Sequence, residues 1–440
     1  MFNQSSVSSE RLAQRFRRGA QEYAARVRLF SPNARMYLGY TVVSGLALGI
    51  FRLLFNFYAL SLGFDEALLG RLLTVTNLVA LVAALPAGYV SDRLGRKPAL
   101  LTASLLTTTA VFGFVFWRDP VGFYILSALL GVGQSLSGVT LGPFLMENSG
   151  HEERTYLFSF SFGVQMIAGF GGNWLGGKLP TWLGTAVHAD PTSAAAYGLS
   201  MAIIGGIAAL SIIPLLFIHR PNREKSGQST SLSPFQYARQ QPVLLVKLIA
   251  PMFVTSLGAG LLMPFMNVFY RHQYNASDGT IGGLFAVGSL AMAFGLLIAP
   301  PLADRYGKMK VVVLSQALSI PFLGVMGFSP WFGLSALAYL VRLMLMNMSN
   351  PVYQAFVMEQ VDEEARATVA SLVSMSWNFG WAFSPMVSGW LQVNVGFAPI
   401  YLGTMSAYVL AIYLYWRFFG HLSANQDQWA AEKASTGHSS

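Results

Sequence analysis

The chain has 440 residues, enough for roughly three soluble domains at ~150 residues each, yet 54% of them are hydrophobic and only 11% are charged. Globular domains carry roughly 25% charged residues, and at a mean hydropathy of +0.49 the apolar surplus exceeds what an aqueous core hides, so lipid is the remaining solvent. Zero cysteines exclude disulfides, thiolate nucleophiles, iron–sulfur clusters and cysteine zinc sites. His151, His188, His219, His272, His421 and His438 never stand one turn apart inside an apolar run, which speaks against an intramembrane His-Glu-x-x-His metalloenzyme.

Residues 1–34 contain no apolar run and so no signal peptide. Leu12, Phe16, Tyr23, Val27 and Phe30 recur there at near-helical spacing among Arg11, Arg15, Arg18 and Arg26. The segment reads either as a basic amphipathic helix on the membrane surface or as a solvated tail. Six spans long enough to cross ~30 Å of hydrocarbon follow, at approximately 37–62, 67–90, 98–117, 121–147, 154–178 and 194–218. After a polar linker over 219–242 come six more, at approximately 243–270, 279–303, 311–328, 331–357, 366–393 and 397–418. The predicted fold is an all-α membrane protein of twelve transmembrane helices in two six-helix bundles, 35–218 and 243–418. The 419–440 tail is polar and rich in small residues, and its composition predicts disorder.

Twelve crossings put both termini on one side of the membrane. Of the 28 lysines and arginines, only Arg71, Arg118, Lys178 and Arg271 fall opposite the termini, and Arg52 and Arg342 fall within spans. This bias predicts cytoplasmic termini and a multi-pass protein of a plasma membrane of the bacterial inner-membrane type. The net charge of +9 is mostly this topology signal and not a nucleic-acid footprint.

The halves repeat. Asp92-Arg93-x-Gly95 falls on Asp304-Arg305-x-Gly307, Met146-Glu147 on Met358-Glu359, Arg154 on Arg366, Ser159 on Ser371 and Gly177 on Gly389, while Gly49 and Asn56 meet Gly260 and Asn267. Charged residues matched in register over a half-chain repeat are typical of secondary transporters, so the bundles are expected to be pseudo-symmetric about a cavity.

After the second span the chain reads Gly88-Tyr-Val-Ser-Asp92-Arg93-Leu-Gly95-Arg96-Lys97. A carboxylate and several cations at helix ends cap backbone groups and pair with neighbouring charges, while the glycines permit close approach and a tight turn. A shortened copy stands at Asp304, Arg305, Gly307 and Lys308. The run resembles the G-x-x-x-D-R-x-G-R-[RK] loop of the major facilitator superfamily at every position. The resemblance covers approximately residues 36–418. It implies alternating access by two rocking bundles, with spans 1, 4, 7 and 10 lining the cavity. It also implies gate partners for Glu147 (Arg96 or Arg154) and for Glu359 (Arg305, Lys308 or Arg366), although either carboxylate could instead carry a proton.

Span 5 has Gly163, then Gly172-Asn173-Trp-Leu-Gly176-Gly177, similar to the G-x8-G-P-x-x-G-G signature of antiporters in that superfamily, with Asn173 in place of proline. The same glycines would also let helices pack closely in any bundle.

Arg52 lies ~22 Å into span 1 and Arg342 ~16 Å into span 10, too deep for easy snorkelling. Buried guanidinium groups usually face the bundle interior and mark a pathway. Their counterparts in the repeat are Met263 and Leu130, and no carboxylate lies at mid-membrane, since Asp65 and Glu66 are at one rim and Glu147 and Glu359 at the other. Two such cations suit a carboxylate, phosphate or sulfonate ligand, or else they bond rim carboxylates and helix-end carbonyls. Asn56 shares a helical face with Arg52, and Gln134, Gln165, Asn267 and Asn378 are mid-span amides that orient a substrate or bond across helices. Trp377 and Trp381 would supply apolar walls or interfacial anchors.

These features predict a secondary active transporter that exports a small amphiphilic or anionic compound against proton entry, with no cofactor, no metal and an ion gradient as energy source. Its partners would be a small molecule and the bilayer, with no nucleic acid, and one chain holds a complete pathway, so a monomer is expected. The alternatives are a symporter or uniporter importing an organic acid or sugar, or a flippase of an anionic lipid. A membrane enzyme finds no Ser-His, His-Glu or Cys constellation in the spans.

Overall fold

The structure is a computed structural model describing residues 27, 29–150, 153–219, 239, 241–361 and 366–436. The predicted N-terminal segment and the linker therefore lie almost wholly outside the described residues. Among these residues twelve long helices follow in chain order and no strand occurs. They are α1 (Pro32–Ser61), α2 (Glu66–Leu94), α3 (Arg96–Phe116), α4 (Pro120–Glu147), α5 (Arg154–Ala186), α6 (Ala194–Leu216), α7 (Pro242–Tyr274), α8 (Asp278–Tyr306), α9 (Lys308–Phe328), α10 (Phe332–Glu359), α11 (Arg366–Asn394) and α12 (Ala398–Thr436).

Local signals set the helix ends. Ser31, Asp65, Asp119, Ser193 and Ser277 accept the orphan N–H groups of α1, α2, α4, α6 and α8 through their side chains. At the other end of α2 and α8 stand Gly95 (φ +93°) and Gly307 (φ +88°), a backbone conformation that an L side chain resists. The repeated loop glycines are thus what lets α2 turn into α3, and α8 into α9, within one residue.

Ten of the helices are long and apolar enough to cross a membrane by length and composition; α5 and α11, counterparts in the repeat, are not among them. Both spend composition on small and polar residues because they pack against the other half, α5 along α8 and α11 along α2. Two helices depart from expectation. A single 3-10 turn at Met263–Phe265 interrupts α7, where Pro264 supplies no N–H to the ladder. The helix of α12 runs on to Thr436, so 419–436 is helical where the composition predicts an irregular tail. Ala424, Ala430, Ala431, Glu432, Lys433 and Ala434 are strong helix formers, and they outweigh the polarity on which that expectation rested.

Candidate substrate cavity and gates

The two halves meet along the face opposite the termini. An added Cβ on Gly177 of α5 would stand 2.6 Å from the Asp278 carbonyl of α8, and one on Gly282 would stand 2.6 Å from the Asn173 carbonyl. The repeat makes the same contact on the other side of the molecule, where Gly70 of α2 abuts Pro385 and Gly389 of α11. Glycine is required at these four positions because backbone meets backbone. Hydrogen bonds extend the seam: the Met386 N–H donates to Thr74 Oγ1 (3.1 Å) and Asn77 Nδ2 donates to the Trp381 carbonyl (3.2 Å).

At the centre of the seam Asn56 of α1 and Asn267 of α7 face each other. Asn56 Nδ2 donates to Asn267 Oδ1 at 2.9 Å and to the Pro264 carbonyl at 2.8 Å, and Asn267 Nδ2 donates to the Leu53 carbonyl at 2.8 Å. Pro264 stands where Leu53 does in the repeat, so the clasp is itself two-fold. Both asparagines were expected on the cavity wall. They are instead buried, because each amide is consumed by the other half.

A second knot lies at the rim. Arg271 of α7 is ion-paired to Asp278 of α8; its Nη1 also donates to Tyr197 Oη of α6 at 2.9 Å, and Tyr197 Oη donates to Asp278 Oδ2 at 2.8 Å. The guanidinium stacks 3.8 Å from the ring centroid of Phe57 on α1. An aromatic pair from the first half thus encloses an ion pair of the second. Nearby, His272 Nε2 lies 3.4 Å from Glu66 Oε1. Sequence reasoning missed Asp278 as a buried carboxylate, although it occupies the place of Glu66 in the repeat.

Toward the termini the same helices diverge. Val82, Leu85 and Tyr89 of α2 and Met375, Phe379 and Phe383 of α11 are exposed, and a Cβ on Gly88, Gly138, Gly142 or Gly163 would meet nothing within 4 Å. Between these regions lies Arg52, one turn short of Asn56 on α1. It is exposed, and among the described residues its guanidinium has no hydrogen-bonding or ionic partner. Gln134 and Gln165 are exposed as well. Arg342 differs from its expected place on the cavity wall. At 1% exposure it is buried, donating from Nη2 to Tyr408 Oη at 2.8 Å and from Nη1 to Met263 Sδ at 3.5 Å, with Nε unpartnered. The tyrosine hydroxyl and the polarisable sulfur solvate it where no carboxylate is at hand. Trp377 and Trp381 pack on each other with ring centroids 6.4 Å apart and are half-buried.

The Major Facilitator Superfamily family model matches residues 38–256 and 248–436. The chain belongs to the major facilitator superfamily. It is 24% identical over 351 residues to the class G tetracycline resistance protein of Vibrio anguillarum, covering 77% of this chain and 82% of that one. To the inner membrane metabolite transport protein YhjE of Escherichia coli (strain K12) it is 28% identical over 361 residues, covering 73% and 78%. The crystal structure of the nucleoside transporter NupG shares the fold, with a TM-score of 0.67 at 15% identity over 88% of this chain and 98% of that one. As a superfamily member the protein is a multi-pass membrane transporter of small molecules.

The superfamily loop residues form two equivalent ion-pair sets, each within its own half. Arg96 pairs with Asp92 (2.5 Å) and with Glu147 (2.8 Å), and Lys308, its counterpart, pairs with Glu359. Of the partners left open for Glu147 the structure has Arg96, while Arg154 reaches only the Ser149 carbonyl at 3.4 Å. Of those for Glu359 it has Lys308; Arg305 lies over the Tyr306 ring, and the Arg366 side chain is outside the described residues. Arg93 donates to Tyr89 Oη at 2.8 Å, Lys97 donates to the Leu216 carbonyl at 2.6 Å, and Asp304 is exposed. In α5 the antiporter-like glycines have separate uses. Gly172 and Gly176 sit on Gly49, Ile50 and Leu53 of α1, Gly177 sits on α8, and Gly163 borders open space.

Proposed function

We propose that the protein exports a small anionic or amphiphilic compound by alternating access, in exchange for protons, across a bacterial-type plasma membrane with its termini in the cytoplasm. The observation that carries this reading is Arg52, an exposed cation with no partner at the closed end of the interior, one turn from the Asn56–Asn267 clasp. A guanidinium held in low dielectric without a counter-ion is a standing site for a carboxylate, sulfonate or phosphate. The charge asymmetry of the loops supports the orientation, and the antiporter-like glycines of α5 support exchange. Each half repeats the same six helices, so one chain suffices as the transport unit, and the ion pairs at Glu147 and Glu359 serve as gates on the termini side that re-form against the opposite half when the cavity closes there.

Purified protein in liposomes, with a trapped pH dye and an imposed pH gradient, tests the reading. Anions should trigger proton movement in the wild type and not in Arg52→Ala, with partial recovery in Arg52→Lys if charge outweighs the planar fork. Proton movement triggered by cationic amphiphiles and indifferent to Arg52 would overturn it.

A further inference from the structure

Thr41 and Arg52 lie on one face of α1, three turns and ~16 Å apart. At the Thr41 end, α1, α4 and α5 enclose an open pocket of about 170 Å³ whose walls include Leu141, Phe158 and Phe162, with Gln165 at its edge. Phe162 lines this pocket and is 56% exposed, which leaves apolar ring surface for a ligand to cover.

Between this pocket and Arg52 the walls include glycines with open space in front of them. Gln134, Gly138 and Gly142 follow one another at four-residue spacing on α4 and so share a face; Gly142 lines the pocket, and a Cβ on Gly138 or Gly142 would meet nothing within 4 Å. Across from them Gly169 of α5 is equally open, and its carbonyl abuts Gly49, one turn from Arg52. No neighbouring atom stands where a side chain on Gly138, Gly142 or Gly169 would go, unlike at the seam glycines. Nor does the repeat demand them, since Gly138 and Gly142 fall on Asn350 and Gln354, and Arg52 on Met263. The second half has neither the track nor a free cation at its end.

We infer that the first half alone holds the whole ligand, a monoanionic amphiphile. Its carboxylate or sulfonate sits on Arg52, and its alkyl or aryl body lies along α1 over Gly138 and Gly142 into the Phe162 pocket. The inference rests on the anion reading of Arg52 and adds the shape and polarity of the rest of the molecule.

Binding of linear alkanesulfonates from ethyl to octyl to the purified protein in nanodiscs, measured by calorimetry with empty nanodiscs subtracted, tests it. Affinity should rise roughly three- to fourfold per methylene across the series, since each buried methylene leaves water. Gly142→Leu should leave ethanesulfonate binding unchanged and abolish the gain for the longer chains. Phe162→Ala, at an exposed position that does not threaten folding, should weaken octanesulfonate several-fold and leave ethanesulfonate alone. A flat series in the wild type, or a rising series indifferent to both substitutions, would overturn the track while leaving Arg52 as an anion site. Absence of any sulfonate binding that depends on Arg52 would overturn the anion reading and the track together.

Discussion

Removing the Asn56–Asn267 clasp should move the protein toward a state open on the face opposite the termini, by an amount the geometry sets. The two amides make three hydrogen bonds between halves, and interhelical bonds in membranes average ~0.6 kcal/mol each. Asn56→Ala and Asn267→Ala each remove two of them, ~1.2 kcal/mol or about eightfold in the ratio of closed to open populations. The double variant removes all three, ~1.8 kcal/mol or about twentyfold. The shared bond makes the singles sub-additive by ~0.6 kcal/mol, a coupling that a double-mutant cycle reads directly. The chain has no cysteine, so spin labels at Val121→Cys and Leu334→Cys, exposed positions near the start of α4 and α10, report the separation of the halves by electron–electron double resonance. The long-distance population should grow in the order wild type, single variants, double variant. Unchanged distance distributions would refute the clasp as a state-determining contact, and fully additive singles would refute the shared bond.

Tyr197→Phe should open the same face by about ten- to a hundredfold, because it strips the hydroxyl from a buried ion pair and bonds to charged groups are worth ~1.5–3 kcal/mol; the same label pair reads the shift, and wild-type distances would count against the knot. Gly282→Val should prevent the seam from closing, since its Cβ would meet the Asn173 carbonyl at 2.6 Å; a thiol reagent applied from the face opposite the termini should label Ser289→Cys many times faster in that background, and equal labelling would show that the seam accommodates a side chain. Arg342→Met should raise or preserve the melting temperature, because exchanging an unpaired buried charge for a well-packed apolar side chain is often neutral or stabilising. A fall of many degrees would mean that the Tyr408 and Met263 contacts hold the bundle together.

The spans, the repeat and the glycine turns were legible because each is a local signal: run length, charge at helix ends, and glycine where φ is positive. What lies across a helix was not. Asn56 and Asn267 align in the repeat, and sequence alone put Asn56 on the Arg52 face and left Asn267 between substrate contact and interhelical bond; only the proximity of α1 and α7 makes them partners. Arg342 reads like Arg52 by depth and apolar surroundings, yet Tyr408 and Met263 converge on it from other helices and close it off. Asp278 was hidden by its rim position, where a carboxylate at a helix start is ordinarily a solvated cap. Only its burial against Tyr197 and Arg271 gives it a different role.

The two-fold repeat is kept at the contacts described above and broken along the proposed ligand track. The symmetric positions are all contacts: Gly70 and Gly282 at the seam, Asn56 and Asn267 in the clasp, Arg96 with Glu147 and Lys308 with Glu359 at the termini side. Rocking about an axis between like halves loads both members of each pair together, so each face opens or closes as one unit, and a carrier that must visit both open states needs a small energy gap between them. A ligand imposes no such constraint, because an anion with one apolar end has no two-fold axis. Arg52 against Met263, and Gly138 and Gly142 against Asn350 and Gln354, are departures of the kind a polar, one-ended ligand would select.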